Sequence, residues 1–179
     1  FTNGDFETPA ETRVAEAAKA LRALGVDEDH MILLGYPDFG YLGESHIFFS
    51  EDEPLTSVHG RRETYGACGF RDYAYQRAGR HSPFARKYLR ADLTRLLLEL
   101  RPGLIVYVGH DCHIDHRCLA LTFEQSLAEV LGRPGNDYRP QVYIKPAYPF
   151  SWFAVPDFYE DENLASVRRP TERGGPENL

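Results

Sequence analysis

Cysteine is scarce in this chain of 179 residues. There are three, Cys68, Cys112 and Cys118, and no two of them form a C-x-x-C pair. An odd number so spaced argues against both a disulfide scaffold and a four-thiolate zinc site. Long apolar runs are missing as well: none approaches the roughly 18 residues of a membrane span, and FTNGDFETP has neither the basic start nor the apolar centre of a secretory leader. Positive charge is in deficit, with 20 Lys and Arg against 27 Asp and Glu. The basic residues are also scattered, which disfavours a nucleic-acid footprint. The expected partner is a small molecule, and the expected location is cytoplasmic. Repeats and low-complexity tracts are absent.

What the sequence does have is enough apolar material for one core. With 42% hydrophobic residues, the length suits a single domain over residues 1–179. Thr8-Pro9-Ala10-Glu11 reads as a capping box opening a helix that ends at Gly25. Residues 31–34, MILL, read as a strand buried on both faces. Residues 36–81 hold no sustained periodicity and read as a long, partly ordered excursion that shapes a ligand site. Ser82-Pro83 reads as the cap of a second helix running to Arg101-Pro102-Gly103. A second buried strand follows at 104–108, then a third helix at 115–131, a strand at 142–144, and a wrapping loop over 146–158 before a frayed tail. This alternation predicts an α/β fold with a mainly parallel sheet, whose ligands bind beyond the carboxyl ends of the strands.

One stretch stands out at such an end. VYVGHDCHIDHRCLAL, residues 106–121, places three histidines and two aspartates within seven positions after an apolar strand. In the unit His113-x-Asp115-His116, one arrangement makes His116 a metal ligand on the first helical turn and leaves His113, oriented by Asp115, to move protons. A second arrangement makes His110, Cys112, His113 and His116 a compact metal cradle. The plain alternative is a set of solvated loop residues capping carbonyls. Elsewhere, Asp5 and Asp38 read equally well as turn caps, and Arg13 with Glu16 as a surface pair on one helix face. His46, His59, Arg61 and Arg62 are expected at the surface.

Taken in order, T-N-G-D, R-x-x-E on a helix ending A-L-G, L-G-Y-P-D, R-P-G-L-I-V-Y and D-x-H-x-D-H-R resemble the LmbE-like (PIG-L) family of zinc-dependent N-deacetylases over residues 1–131. Ile114 stands where that family usually has proline. The resemblance implies a Rossmann-like three-layer sandwich and removal of the acetyl group from an N-acetylglucosamine-type amino sugar by a zinc-activated water. It implies His116 as zinc ligand, His113 as general acid, Asp115 as the carboxylate orienting His113, and Arg13 and Asp38 as residues facing the sugar, with Glu16 supporting Arg13. The family's His-Pro-Asp-Asp motif is not found in the chain, so the resemblance also implies a preceding segment carrying it. A carbohydrate-binding relative without metal is the competing expectation.

Overall fold

The first helix, α1 (Ala10–Ala23), buries Ala10, Val14 and Ala18, the stripe set by its apolar spacing. Its start differs from expectation. Pro9 itself holds the extended N-cap position and no side chain caps the helix, so the Thr8 capping box does not form. The far end follows the sequence, with Gly25 at φ +79 and the Val26 N–H closing onto the Leu21 carbonyl at 2.9 Å. The computed structural model describes residues 1–40, 45–109, 113–145 and 147. The wrapping loop of 146–158, apart from residue 147, the tail beyond it, and the pair His110 and Cys112 lie outside the described residues.

Leu33 and Leu34 are buried, as their apolar run demands, yet 31–34 is not a strand. Its backbone serves different neighbours one bridge at a time: Leu33 pairs with Asp72, and Tyr36 pairs with Thr2. Hydrogen bonds run from Asn3 N–H to the Tyr36 carbonyl and from Tyr65 N–H to that of Gly35. No partner stays alongside long enough to build a ladder. Gly35, at φ +80, permits this crossing; a Cβ there would sit 2.6 Å from the Tyr65 carbonyl and 2.6 Å from the Asp72 Cβ.

The excursion contains an unforeseen helix, α2 (Tyr73–Ala78), capped by the Asp72 carboxylate on the Tyr75 N–H and ended by left-handed Gly79. The next helix, α3 (Arg86–Leu100), starts later than Ser82-Pro83 predicts. The N–H groups of Ser82 and Phe84 are already taken by the Thr64 hydroxyl and the Arg62 carbonyl, so residues 82–85 stay outside the helix and Ala85 becomes the N-cap.

Strand β1 (Leu104–Val108), helix α4 (Ile114–Leu131) and strand β2 (Gln141–Lys145) form a β-α-β unit in which β1 and β2 pair in parallel, Leu104 opposite Gln141 through Val108 opposite Lys145. This is a mixed α/β chain with a small parallel sheet of two strands among the described residues. The burial expected for the strand at 104–108 does not hold. Tyr107 packs on Phe123 of α4, ring centroids 4.6 Å apart, whereas Val106 and Tyr143, on the opposite face, are 58% and 56% exposed. Helix α4 packs on α3 and on β1, and the largest buried side chains, including Tyr36, Phe39, Ile47, Tyr73, Phe84 and Leu89, fill the interior beside them. Among the described residues no helix is long and apolar enough to cross a membrane.

Candidate metal centre

The centre lies where α4 begins, just past the carboxyl end of β1. His113 occupies the N-cap of α4, and its Nδ1 accepts the backbone N–H of Asp115 at 3.3 Å. That cap fixes the ring at the helix entrance and turns Asp115, in the first turn, inward. The Asp115 side chain is only 5% exposed.

Asp38 approaches from the other side, on the segment that follows the Tyr36 bridge to Thr2. Its backbone N–H donates to Oδ1 of Asp5 at 2.7 Å, and its own Oδ1 accepts the N–H of Gly40 at 2.7 Å. Asp5 is itself 1% exposed and takes the Tyr65 hydroxyl on its second oxygen. Asp5 therefore does more than cap a local turn: it ties the first loop of the chain to the loop carrying Asp38.

Asp38, His113 and Asp115 bring ligand-type atoms within 4.8 Å of one another. Oδ2 of Asp115 is buried without a hydrogen-bond partner, as are four other side-chain oxygens among the described residues; of the five residues, Asp115 is the one grouped with two further ligand-type side chains. Burial, followed by the neighbouring Asp38 carboxylate, pushes the Asp115 carboxyl up to about 8. A group of two carboxylates and an imidazole, with one oxygen unsatisfied, could hold a metal ion.

The residues singled out in the sequence sort unevenly around this group. Asp38, His113 and Asp115 come together. His116 stacks on His113, ring centroids 4.7 Å apart at 28°, and is not one of the three whose ligand atoms cluster. The carboxylate of Asp115 stands 3.9 Å from His113 Nδ1, so Asp115 holds that ring through its backbone N–H more closely than through its side chain. Arg13 pairs with Glu16 at 3.2 Å, both half-exposed, its stem against Gly4; among the described residues no hydrogen bond or ion pair joins it to the cluster. His59 is exposed as expected and touches the Asp5 carbonyl, and Arg61 lies over the Tyr65 ring, 4.1 Å from its centroid.

The residue that sequence reasoning misplaced is His46. Expected at the surface, it is fully buried, with Nε2 2.7 Å from Oδ1 of Asp115. Burial outweighs the opposing pull of the Asp38 carboxylate and, with a smaller push from Arg117, brings its imidazole down to about 4, so the ring is neutral. The signal that could have found it was local: a lone histidine directly before the apolar run Ile47-Phe48-Phe49. Comparison of the chain with protein-family models, with curated proteins and with solved structures returns no match.

Proposed function

We propose that the chain is a metal-dependent N-deacetylase acting on an N-acetylglucosamine-type amino sugar or sugar conjugate. The observation that carries the reading is Oδ2 of Asp115, buried without a hydrogen bond and clustered with Asp38 and His113. The reading includes a three-layer Rossmann-like sandwich, supported by the parallel β1–α4–β2 unit and by the place of the cluster beyond the carboxyl end of β1, where ligands bind in such sheets.

Zinc, when bound by such a group, supplies a water nucleophile near neutral pH and polarises the amide carbonyl. The protein's own residues supply the remainder. Asp38 and Asp115 give the negative charge that retains a divalent ion. The stacked pair His113 and His116 divides nitrogen donation and proton delivery to the departing amine. The family resemblance gives the donor role to His116 and the proton to His113. The clustering of His113 with the two carboxylates favours the reverse: His113 donates to the metal and His116 delivers the proton. Arg13, beside the first loop, is the cation available to a sugar hydroxyl or carbonyl.

The test is metal analysis of the purified chain together with amine release from an N-acetylglucosamine conjugate. Stoichiometric zinc with amine release is expected. Absence of bound metal after incubation with zinc defeats the deacetylase and favours a carbohydrate-binding protein.

A further inference from the structure

His46 has a use beyond filling space. Its Nδ1 accepts the backbone N–H of Phe48 at 2.8 Å, which places the lone pair on that nitrogen and the proton of the neutral ring on Nε2. Nε2 lies 2.7 Å from Oδ1 of Asp115 and in this tautomer can only donate there. The ring cannot swing away: it is fully buried, and Phe39 meets it edge-on at 5.3 Å. One oxygen of Asp115 is thereby occupied and the plane of the carboxylate fixed. The other, Oδ2, is left as the unsatisfied atom near Asp38 and His113.

We infer that His46 is a positioning residue, a single-tautomer donor that locks Asp115 by Oδ1 and presents Oδ2 to the cation-capable group. What Oδ2 is presented for rests on the metal-centre reading above; the tautomer and its hydrogen bond do not. A core histidine with no such role needs only to be buried and paired, so any apolar replacement that keeps the fold would serve. A positioning donor must be replaced by another N–H donor. Partners that orient ligating groups in this way are worth about 10- to 100-fold in metal affinity.

Two measurements on the full chain decide it. Long-range 1H–15N spectra of the chelator-treated protein should show His46 locked as the Nε2–H tautomer, its signal shifted by Asp115→Asn. Zinc titration by calorimetry should then give His46→Gln an affinity within about threefold of wild type, and His46→Leu a loss of about 10-fold or more, with thermal melts establishing that both are folded. An Nδ1–H tautomer, or a folded His46→Leu that binds zinc as well as His46→Gln does, overturns the inference. If His46→Leu does not fold, the wild-type tautomer and the His46→Gln affinity decide. A wild-type chain that binds no zinc yet shows the locked Nε2–H signal responding to Asp115→Asn defeats the metal-centre reading and still supports His46 as the residue holding Asp115.

Discussion

The hydroxyl of Tyr36 donates to Oδ2 of Asp92 across 2.9 Å, both side chains buried. The bond joins the segment leading to Asp38 to the inner face of α3. Tyr36→Phe keeps the ring and removes only the donor, leaving a buried carboxylate short of one partner. Such a loss costs about 1–3 kcal/mol. Urea denaturation should show it as a lower midpoint with an unchanged slope; an unchanged midpoint would mean that the bond contributes nothing net.

Gly35 offers a harsher test of the same segment. An alanine methyl there meets the Tyr65 carbonyl and Asp72 at 2.6 Å, in a backbone conformation that L residues rarely adopt. Neither obstacle is the end of a flexible side chain. Gly35→Ala should lower the melting temperature markedly, and because Asp38 lies three residues on, zinc affinity should fall with it. A variant that melts normally would show that the backbone crossing relaxes more easily than the packing implies.

The two imidazoles at the α4 entrance can be separated by substitution. Asp38→Asn and His113→Ala are each expected to weaken zinc binding at least about 10-fold, in line with the loss of a ligand or its support. His116→Ala is expected to keep the ion while losing turnover by about 10²- to 10⁴-fold, as for loss of a general acid. The opposite pattern, metal lost with His116 and retained without His113, would restore the assignment drawn from the family resemblance.

The pH dependence of stability in the metal-free protein follows from the coupled pair at the centre. Asp115 is raised from 3.8 to about 8 and His46 lowered from 6.5 to about 4. Between about pH 4 and 6.5 the unfolded chain holds its proton on the imidazole and the folded chain holds one on the carboxyl. Proton counts match, and the two groups together give no slope. Above 6.5 the unfolded chain has lost that proton while the folded chain keeps its own, so stability should fall as pH rises from about 6.5 to about 8, by at most about 1.4 kcal/mol per pH unit. Asp115→Asn should flatten that decline. Chemical denaturation across pH 5–9 in the presence of chelator measures it, and a rise over the upper window would contradict the assignment.

Periodic signals were legible. The helices now seen as α1, α3 and α4, the strand at Leu104–Val108 and the turn at Gly25 could all be read from apolar spacing and glycine, because a helix face or strand end depends on residues close in sequence. The failures share a cause. MILL is apolar because it is buried, but whether it becomes a strand depends on what lies beside it, and Thr2, Tyr65 and Asp72 share that position. Ser82-Pro83 looks like a cap until Thr64 and Arg62 claim the N–H groups. At the centre, Asp38, His113 and Asp115 were visible as chemistry-bearing residues near loop ends. His46 was not: the apolar run after it hints at burial, but its pairing with Asp115 spans 69 positions, and nothing local names that partner.

That long pairing constrains how such a protein can change. The stretch between the first loops and α2, read from the sequence as shaping a ligand site, also carries the imidazole on which a buried acid leans. Lengthening or shortening it to suit a new ligand would disturb the acid in the same stroke. On the proposed reading, selectivity and reactivity are mechanically coupled, and a variant that broadens one loses in the other unless the His46–Phe48 turn is carried over intact.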